Sequence, residues 1–313
     1  MDRNTDTDTI KAGRRTVPLH RPDKVLFPDL GLTKADLAEY YLAAAPRLLP
    51  QLRDRPLMLE RHPDGVGGSR FMQKAVPTGA PDWVSGAEVP KEGGTLNQVL
   101  CQDAPTLVYL VDQACITPHR WLSRADQPRR PDLLVFDLDP ADPEDGGAAD
   151  EKTSFGTVRA AAHQLADLLS ELGLRSVPMT TGSRGLHILV PLRRGPDADE
   201  VLEFATGVAT VLTGLHPEEL TIEARKQARG DRLYLDVHRN GYAQTAVAPY
   251  AVRALPGAPV AAPLAWDEVD DPALTGRRWT VADMPQRLKD DPWEGLLTHQ
   301  QSLERAREAL LDR

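Results

Sequence analysis

Two aspartates, Asp137 and Asp139, stand two apart in the run PDLLVFDLDP, whose other residues are almost all apolar. In an extended strand, residues i and i+2 project from one face. The run therefore aims two carboxylates the same way, with Leu138 turned to the opposite side. Two like charges this close repel unless a cation lies between them. An oxygen-only donor set suits Mg²⁺ or Mn²⁺. A third carboxylate, Asp236, sits in a second apolar run, LYLDV, on the face shared with Tyr234 and His238. Placed beside the first strand, it would complete a site for two ions that activates a hydroxyl nucleophile and neutralises a leaving pyrophosphate. The bland reading of each piece is a strand end entering an acidic turn and an edge charge in a salt bridge.

Between these runs lies TTGSRGLH, residues 180–187. A tight glycine turn offers free backbone N–H groups. Thr181 and Ser183 add hydroxyls, Arg184 a guanidinium and His187 an imidazole, a set that can cradle a triphosphate. The spacing is not that of a Walker A loop. Arg229 and Arg253 flank the Asp236 run and can each hold phosphate oxygens bidentately. His119 stands upstream in TPHRWLSR. Cys115 and His119 are too poorly accompanied to read as a zinc site. Nearer the start, Lys24 and Lys34 flank the turn FPDLGLT, and Phe71, Met72 and Lys74 follow a glycine turn. Two lysines can bind a terminal phosphate, and an aromatic–thioether pair can stack on an exposed base. Surface lysines and core aromatics are the bland alternative.

The elements that must carry these residues read as follows. Residues 1–15 are polar and unpatterned and read as a disordered tail. Thr33 reads as the N-cap of a helix that ends at Pro46 and Pro50. RPLMLER reads as a strand, and so does TLVYLVDQA at 106–114. After the Asp137 strand comes an acidic, Gly/Pro-rich loop at 141–154. A helix then covers about 155–172 and closes at Gly173. RSVPMTT and LHILVPL form a hairpin around GSRG. DADEVLEFATGVATVLTGL is a helix, DRLYLDVHRN a strand, QTAVAPYAVRA an interrupted strand, and SLERAREALLDR a final helix. Hairpins and helices interleave without strict β-α alternation. That favours an α+β fold with mixed or antiparallel sheets flanked by helices over a Rossmann fold.

The chain has 313 residues, 41% hydrophobic and 27% charged, an ordinary globular composition. The formal net charge of -9 argues against a protein that coats nucleic acid by bulk charge. Residues 1–75 carry 13 Lys+Arg against 10 Asp+Glu, and residues 257–313 carry 7 against 11. The N-terminal quarter is therefore the part suited to a phosphate backbone. There is no secretory leader pattern and no apolar run near the ~18 residues that span a bilayer. Two cysteines outside any C-x-x-C motif fit a reduced setting. The expectation is a cytoplasmic, nucleoid-associated protein with no membrane partner.

Taken together, these motifs are similar to those of the polymerase domain of bacterial ligase D, in the archaeo-eukaryotic primase superfamily. The segments that carry the likeness are RPDKVLFPDLGLTKADLAEYY, RFMQKAVP, LLVFDLDP, TTGSRGLHILVPL, DRLYLDVHRN and QTAVAPYAVRALPGAPVAAPLAWDEV. They run in family order from about residue 18 to 290.

The resemblance implies a primase-polymerase domain over residues 16–295, with a catalytic core near 105–255 and a C-terminal helix over 296–313. It implies a template-dependent polymerase of non-homologous end joining that fills gaps and extends broken ends, often with ribonucleotides. Two Mn²⁺ or Mg²⁺ ions would sit on Asp137, Asp139 and Asp236, with a nucleoside triphosphate as substrate. His119, Thr181, Ser183, Arg184, His187, Arg229 and Arg253 would hold the nucleotide. Lys24 and Lys34 would grip a 5′-phosphate and Phe71 would stack on template, with Met72 and Lys74 beside it. This chain has Thr181 where the family has serine, Arg184 where it has lysine, and Met72 where it has a second phenylalanine.

No K-x-D-G ligase motif is present, so the expected partners are gapped or broken DNA, a Ku-type end-binding protein and a separate ATP-dependent ligase. A primase that starts chains de novo and a catalytically idle DNA-end adaptor are the alternatives.

Overall fold

The computed structural model describes residues 7–141 and 151–313. They divide into two compact units. Unit 1 comprises 1–126, 245–261 and 279–290, and unit 2 comprises 127–244, 262–278 and 291–313.

Unit 1 opens with a hairpin, β1 (Thr7–Ala12) and β2 (Arg15–His20), paired in register from Thr7↔His20 to Ala12↔Arg15. This corrects the expectation of a disordered tail through residue 15. Val17 and Leu19 alternate into the interior, and Gly13 supplies the positive φ that the two-residue turn needs. The remainder of that expected tail, residues 1–6, lies outside the described residues. Two short strands follow, β3 (Val25–Phe27) and β4 (Leu32–Thr33).

Helix α1 (Lys34–Leu52) starts at a reciprocal Thr33–Asp36 capping box. It runs through Pro46 and Pro50, which were expected to end it. Leu48 and Leu52 keep its apolar stripe buried past both prolines, and that packing outweighs the backbone hydrogen bonds the prolines forfeit. The unit also holds β5 (Leu57–Arg61), β6 (Phe71–Gln73), the hairpin β7 (Gly86–Lys91) and β8 (Gly94–Val99), and α2 (Ala104–Asp112).

The α2 segment contradicts the strand expected at 106–114. Asp103 caps it by accepting from both the backbone N–H and the hydroxyl of Thr106, and Pro105 occupies its first turn. Its residues 105–111 are all buried. A helix enclosed all round shows no amphipathic period and reads like a core strand. After α2, β9 (Cys115–Trp121) pairs with β5.

Unit 2 is built on a five-stranded sheet ordered β11-β12-β10-β14-β13. Its strands are β10 (Leu133–Asp139), β11 (Val177–Thr180), β12 (Leu186–Pro191), β13 (Leu220–Thr221) and β14 (Leu233–Asp236). All neighbours are antiparallel except β13 and β14. Helices α3 (Glu151–Glu171) and α4 (Ala198–Leu215) pack on this sheet. The loop expected at 141–154 falls largely on residues outside the description, although 151–154 already belong to α3. DRLYLDVHRN is strand only to Asp236, and residues His238–Asn240 form a 3₁₀ turn. Hence His238 does not share the strand face of Asp236. The chain returns to unit 1 with β15 (Thr245–Val247), completing a sheet ordered β15-β9-β5-β6. Three short helices end the count: α5 (Trp266–Val269), α6 (Met284–Arg287) and α7 (Glu304–Leu311). The last of these packs on α4. No described helix is long and apolar enough to cross a membrane.

Candidate active site

Strand β10 is the centre of the site in unit 2, with β12 on one side and β14 on the other. Asp137 is the cross-strand partner of His187 on β12 and of Asp236 on β14, while Asp139 stands opposite Tyr234. Three of the residues singled out from sequence thus meet in one row across three strands. Asp137 is only 4% exposed. Its Oδ1 lies 3.4 Å from His187 Nε2 and its Oδ2 lies 3.4 Å from Arg239 Nε. Arg239 Nε also lies 3.9 Å from Asp236 Oδ2, and Asp236 Oδ1 accepts from the His238 backbone N–H at 2.8 Å.

Arg239 was not singled out from sequence, although it follows Asp236 by one 3₁₀ turn. Asn240 sets its place. The Asn240 amide donates to Val135 O at 2.7 Å and accepts from Val135 N–H at 2.9 Å. A side chain thereby continues the β10 ladder past the end of β14. It clamps the turn so that the preceding arginine reaches both carboxylates.

Electrostatics separates the two β10 aspartates. Burial alone would raise the Asp137 carboxyl, but His187 and Arg239 outweigh it and hold it below its ordinary value. Asp139 is pushed up to about 6, first by burial and then by the Asp137 charge, despite the opposing pull of Arg184. Burial and the adjacent Asp236 likewise push the Tyr234 phenol up to about 12.

The turn between β11 and β12 is tied to this row. Thr181 is buried. Its hydroxyl oxygen accepts from Ser183 N–H at 3.2 Å and Gly185 N–H at 3.3 Å, and the hydroxyl donates to Gly185 O at 3.1 Å. Of the backbone N–H groups expected to be free in this turn, those of Ser183 and Gly185 are taken by Thr181. A Cβ on Gly185 would lie 1.9 Å from Leu138 O, between the two β10 aspartates in sequence. A Cβ on Gly276 would lie 2.6 Å from the Arg184 carbonyl carbon, and Arg277 Nε donates to Ser183 O at 3.3 Å. Gly276 and Arg277 support the turn from far along the chain, which local sequence patterns do not reveal.

Arg229 spends its guanidinium locally. It donates to Glu223 O and Ala224 O at 2.9 and 2.8 Å and lies 3.6 Å from the centre of the Tyr234 ring.

The other singled-out residues belong to unit 1. His119, on β9, has Nε2 3.2 Å from Glu60 Oε2, and the Arg253 charge acts on the same carboxylate. Lys34 is 3% exposed, and its ammonium donates to the carbonyls of His20 and Asp112 at 2.8 and 3.0 Å. As it stands it joins β2 to the end of α2. Burial outweighs the opposing Asp112 charge and pulls its pKa below the ordinary lysine value. Lys24 donates to Pro63 O and to Asp64 at 3.2 Å. Phe71 and Met72 are both exposed on β6, an edge strand, with the Arg61 guanidinium 4.9 Å from the Phe71 ring centre. Lys74 beside them is exposed.

Among the described residues, no three His, Cys, Asp or Glu side chains are placed to hold a metal ion as they stand. The donor set nevertheless fits a hard divalent cation. It is made of carboxylate oxygens, one of which, Asp137 Oδ1, is buried with His187 Nε2 no nearer than 3.4 Å.

Unit 2 thus has a largely antiparallel sheet with paired carboxylates on its central strand, beside a glycine turn. The LigD primase-polymerase domain model matches residues 33–293, and the chain belongs to that family. It is 32% identical over 265 residues to the multifunctional non-homologous end joining protein LigD of Mycolicibacterium smegmatis, covering 84% of this chain and 34% of that protein. It is also 32% identical over 270 residues to the bifunctional LigD of Bacillus subtilis, covering 85% and 41%. The chain thus spans about a third of the multifunctional relatives. The polymerase domain from Mycobacterium tuberculosis ligase D, solved in complex with DNA, superposes with a TM-score of 0.81 at 30% identity, covering 90% of this chain and 98% of that one.

Proposed function

We propose that this chain is a template-dependent polymerase that fills gaps and extends ends during bacterial non-homologous end joining. The observation that carries the reading is the row His187–Asp137–Asp236 across three adjacent strands, with the β11–β12 turn held against the same central strand by Gly185. The family name and the DNA-bound relative support nucleotidyl transfer on DNA.

In this reading Asp137, Asp139 and Asp236 would hold two Mn²⁺ or Mg²⁺ ions, which would supply Lewis-acid activation of the primer hydroxyl and charge neutralisation at the leaving pyrophosphate. His187 and Arg184 hold the triphosphate beside that row. Thr181 holds the turn rigid from inside. Arg239 sits against both Asp137 and Asp236 and offsets their mutual repulsion before the substrate arrives. His119 and Arg253 are also assigned to the nucleotide. Lys24 and Lys34, with exposed Phe71, Met72 and Lys74, serve a gapped DNA end carrying a 5′-phosphate. Preference for ribonucleotides, a Ku-type partner and a separate ligase complete the proposal.

The test is primer extension with Mn²⁺ on a gapped duplex, with and without a 5′-phosphate, using ribo- and deoxynucleotides. Extension only from a primer, strengthened by the phosphate, is the expected result. Synthesis without a primer would turn the assignment to a primase, and DNA binding without extension would turn it to an adaptor.

A further inference from the structure

Glu60 lies on β5 and is 5% exposed. An ionised carboxylate so deeply enclosed is costly unless several partners share its charge. Glu60 has four. His119 Nε2 lies 3.2 Å from Oε2, His62 Nε2 lies 3.3 Å from Oε1, and Arg70 Nη1 lies 3.6 Å from Oε1. The Arg253 charge is the fourth. Burial pushes the carboxyl up, but the His119 and His62 bonds and Arg253 overturn it and bring it down to about 2. The group is therefore an anion at any working pH.

The backbone arranges this convergence. Glu60 pairs with Thr117 and Met58 with His119 on antiparallel β5 and β9, so Glu60 and His119 are diagonal neighbours on one face. The register shifts between Glu60 and Arg61. Such a bulge re-aims side chains, and here His62 follows it directly. An anion cannot itself bind a triphosphate. Its partners include both unit 1 residues assigned to the nucleotide above, His119 and Arg253.

We propose that Glu60 is a positioning residue for the nucleotide. Its carboxylate, 3.2 Å from His119 Nε2, fixes the orientation of the His119 ring, so that His119 meets the triphosphate already oriented. This rests on the reading of His119 as a nucleotide-holding residue. Pre-ordering of that kind acts on binding rather than on the chemical step.

The test compares wild type, Glu60→Ala, Glu60→Gln, His119→Ala and the double Glu60→Ala/His119→Ala variant. Two readouts are used: calorimetric affinity for a nonhydrolysable ATP analogue with Mn²⁺, and KM and kcat for primer extension. Glu60→Ala is expected to weaken analogue binding and raise KM about tenfold, with kcat within about twofold. Glu60→Gln keeps an acceptor of the same shape and is expected to recover most of the loss. The double variant should be no worse than His119→Ala. Unchanged affinity in both Glu60 variants, or additive losses in the double variant, would overturn the proposal. Analogue binding by wild type without extension would sink the polymerase reading while leaving Glu60 tested by the calorimetry. A wild type that binds no analogue would sink both.

Discussion

The backbone of Gly185 lies directly over the carbonyl of Leu138, so close that a methyl group there would sit 1.9 Å from that oxygen. The β11–β12 turn and the strand bearing Asp137 and Asp139 are thereby in direct backbone contact. Because the obstructing atom is backbone, it cannot rotate away. Gly185→Ala is expected to destabilise the fold by on the order of 2–4 kcal/mol, as overpacking and backbone displacement do. Chemical denaturation measures this, and a loss below about 0.5 kcal/mol would contradict the contact.

Asp139 makes stability depend on pH in a defined direction. Its carboxyl titrates at about 6 in the folded protein against an ordinary 3.8. The folded state therefore holds the proton more tightly than the unfolded chain. The stability this contributes is complete below about 3.8 and is lost as pH rises through about 6. Metal-free Asp139→Asn should accordingly be more stable than wild type at pH 7.5, by on the order of 2–3 kcal/mol, and no more stable at pH 3.5. Thermal melts at the two pH values decide it. An advantage equal at both would show that charge is not the cause.

Arg239 and a divalent ion are expected to compete for the same carboxylates. Arg239→Ala leaves Asp137 and Asp236 facing each other without their shared cation, and should lower metal-free stability by about 1–2 kcal/mol. It should also enlarge the rise in melting temperature that Mn²⁺ produces. Calorimetric scans with chelator and with Mn²⁺ test this. A variant whose Mn²⁺ response is smaller than that of wild type would count against competition.

The two lysines are expected to separate. Lys34 is enclosed between two carbonyls and Asp112, so Lys34→Ala should cost about 2–4 kcal/mol of stability by leaving buried acceptors unpaired. Lys24 is partly exposed and bonded beside Asp64, and Lys24→Ala should fold normally. Gap filling with and without a 5′-phosphate on Lys24→Ala then reads the phosphate contact cleanly. An unchanged phosphate effect would remove Lys24 from that role.

Much of this arrangement is legible along the chain. The apolar run LLVF followed by D-L-D announces a strand with two carboxylates on one side, and GSRG announces the hairpin beside it. The α+β class follows from the same interleaving. What escapes is of two kinds. One is local pattern hidden by context: α2 is buried on all sides, and β1 exposes nearly every side chain and so carries no alternation. The other is long-range placement. Arg239, Gly276 and Glu60 look like any arginine, glycine or glutamate. Only the register of β10, β12 and β14, and the bulge between β5 and β9, give them neighbours that matter.

The interleaving of the two units has a practical meaning for anyone who would cut or rewire the chain. Unit 1 needs β15 from residues 245–261 to finish its sheet. Unit 2 needs residues 291–313, where Trp293 donates to the carbonyls of Pro178 and Leu264. No single break yields either half intact, so the sheet bearing the aspartates cannot be produced as a simple fragment. Isolating either unit would require splicing together segments that lie far apart along the chain.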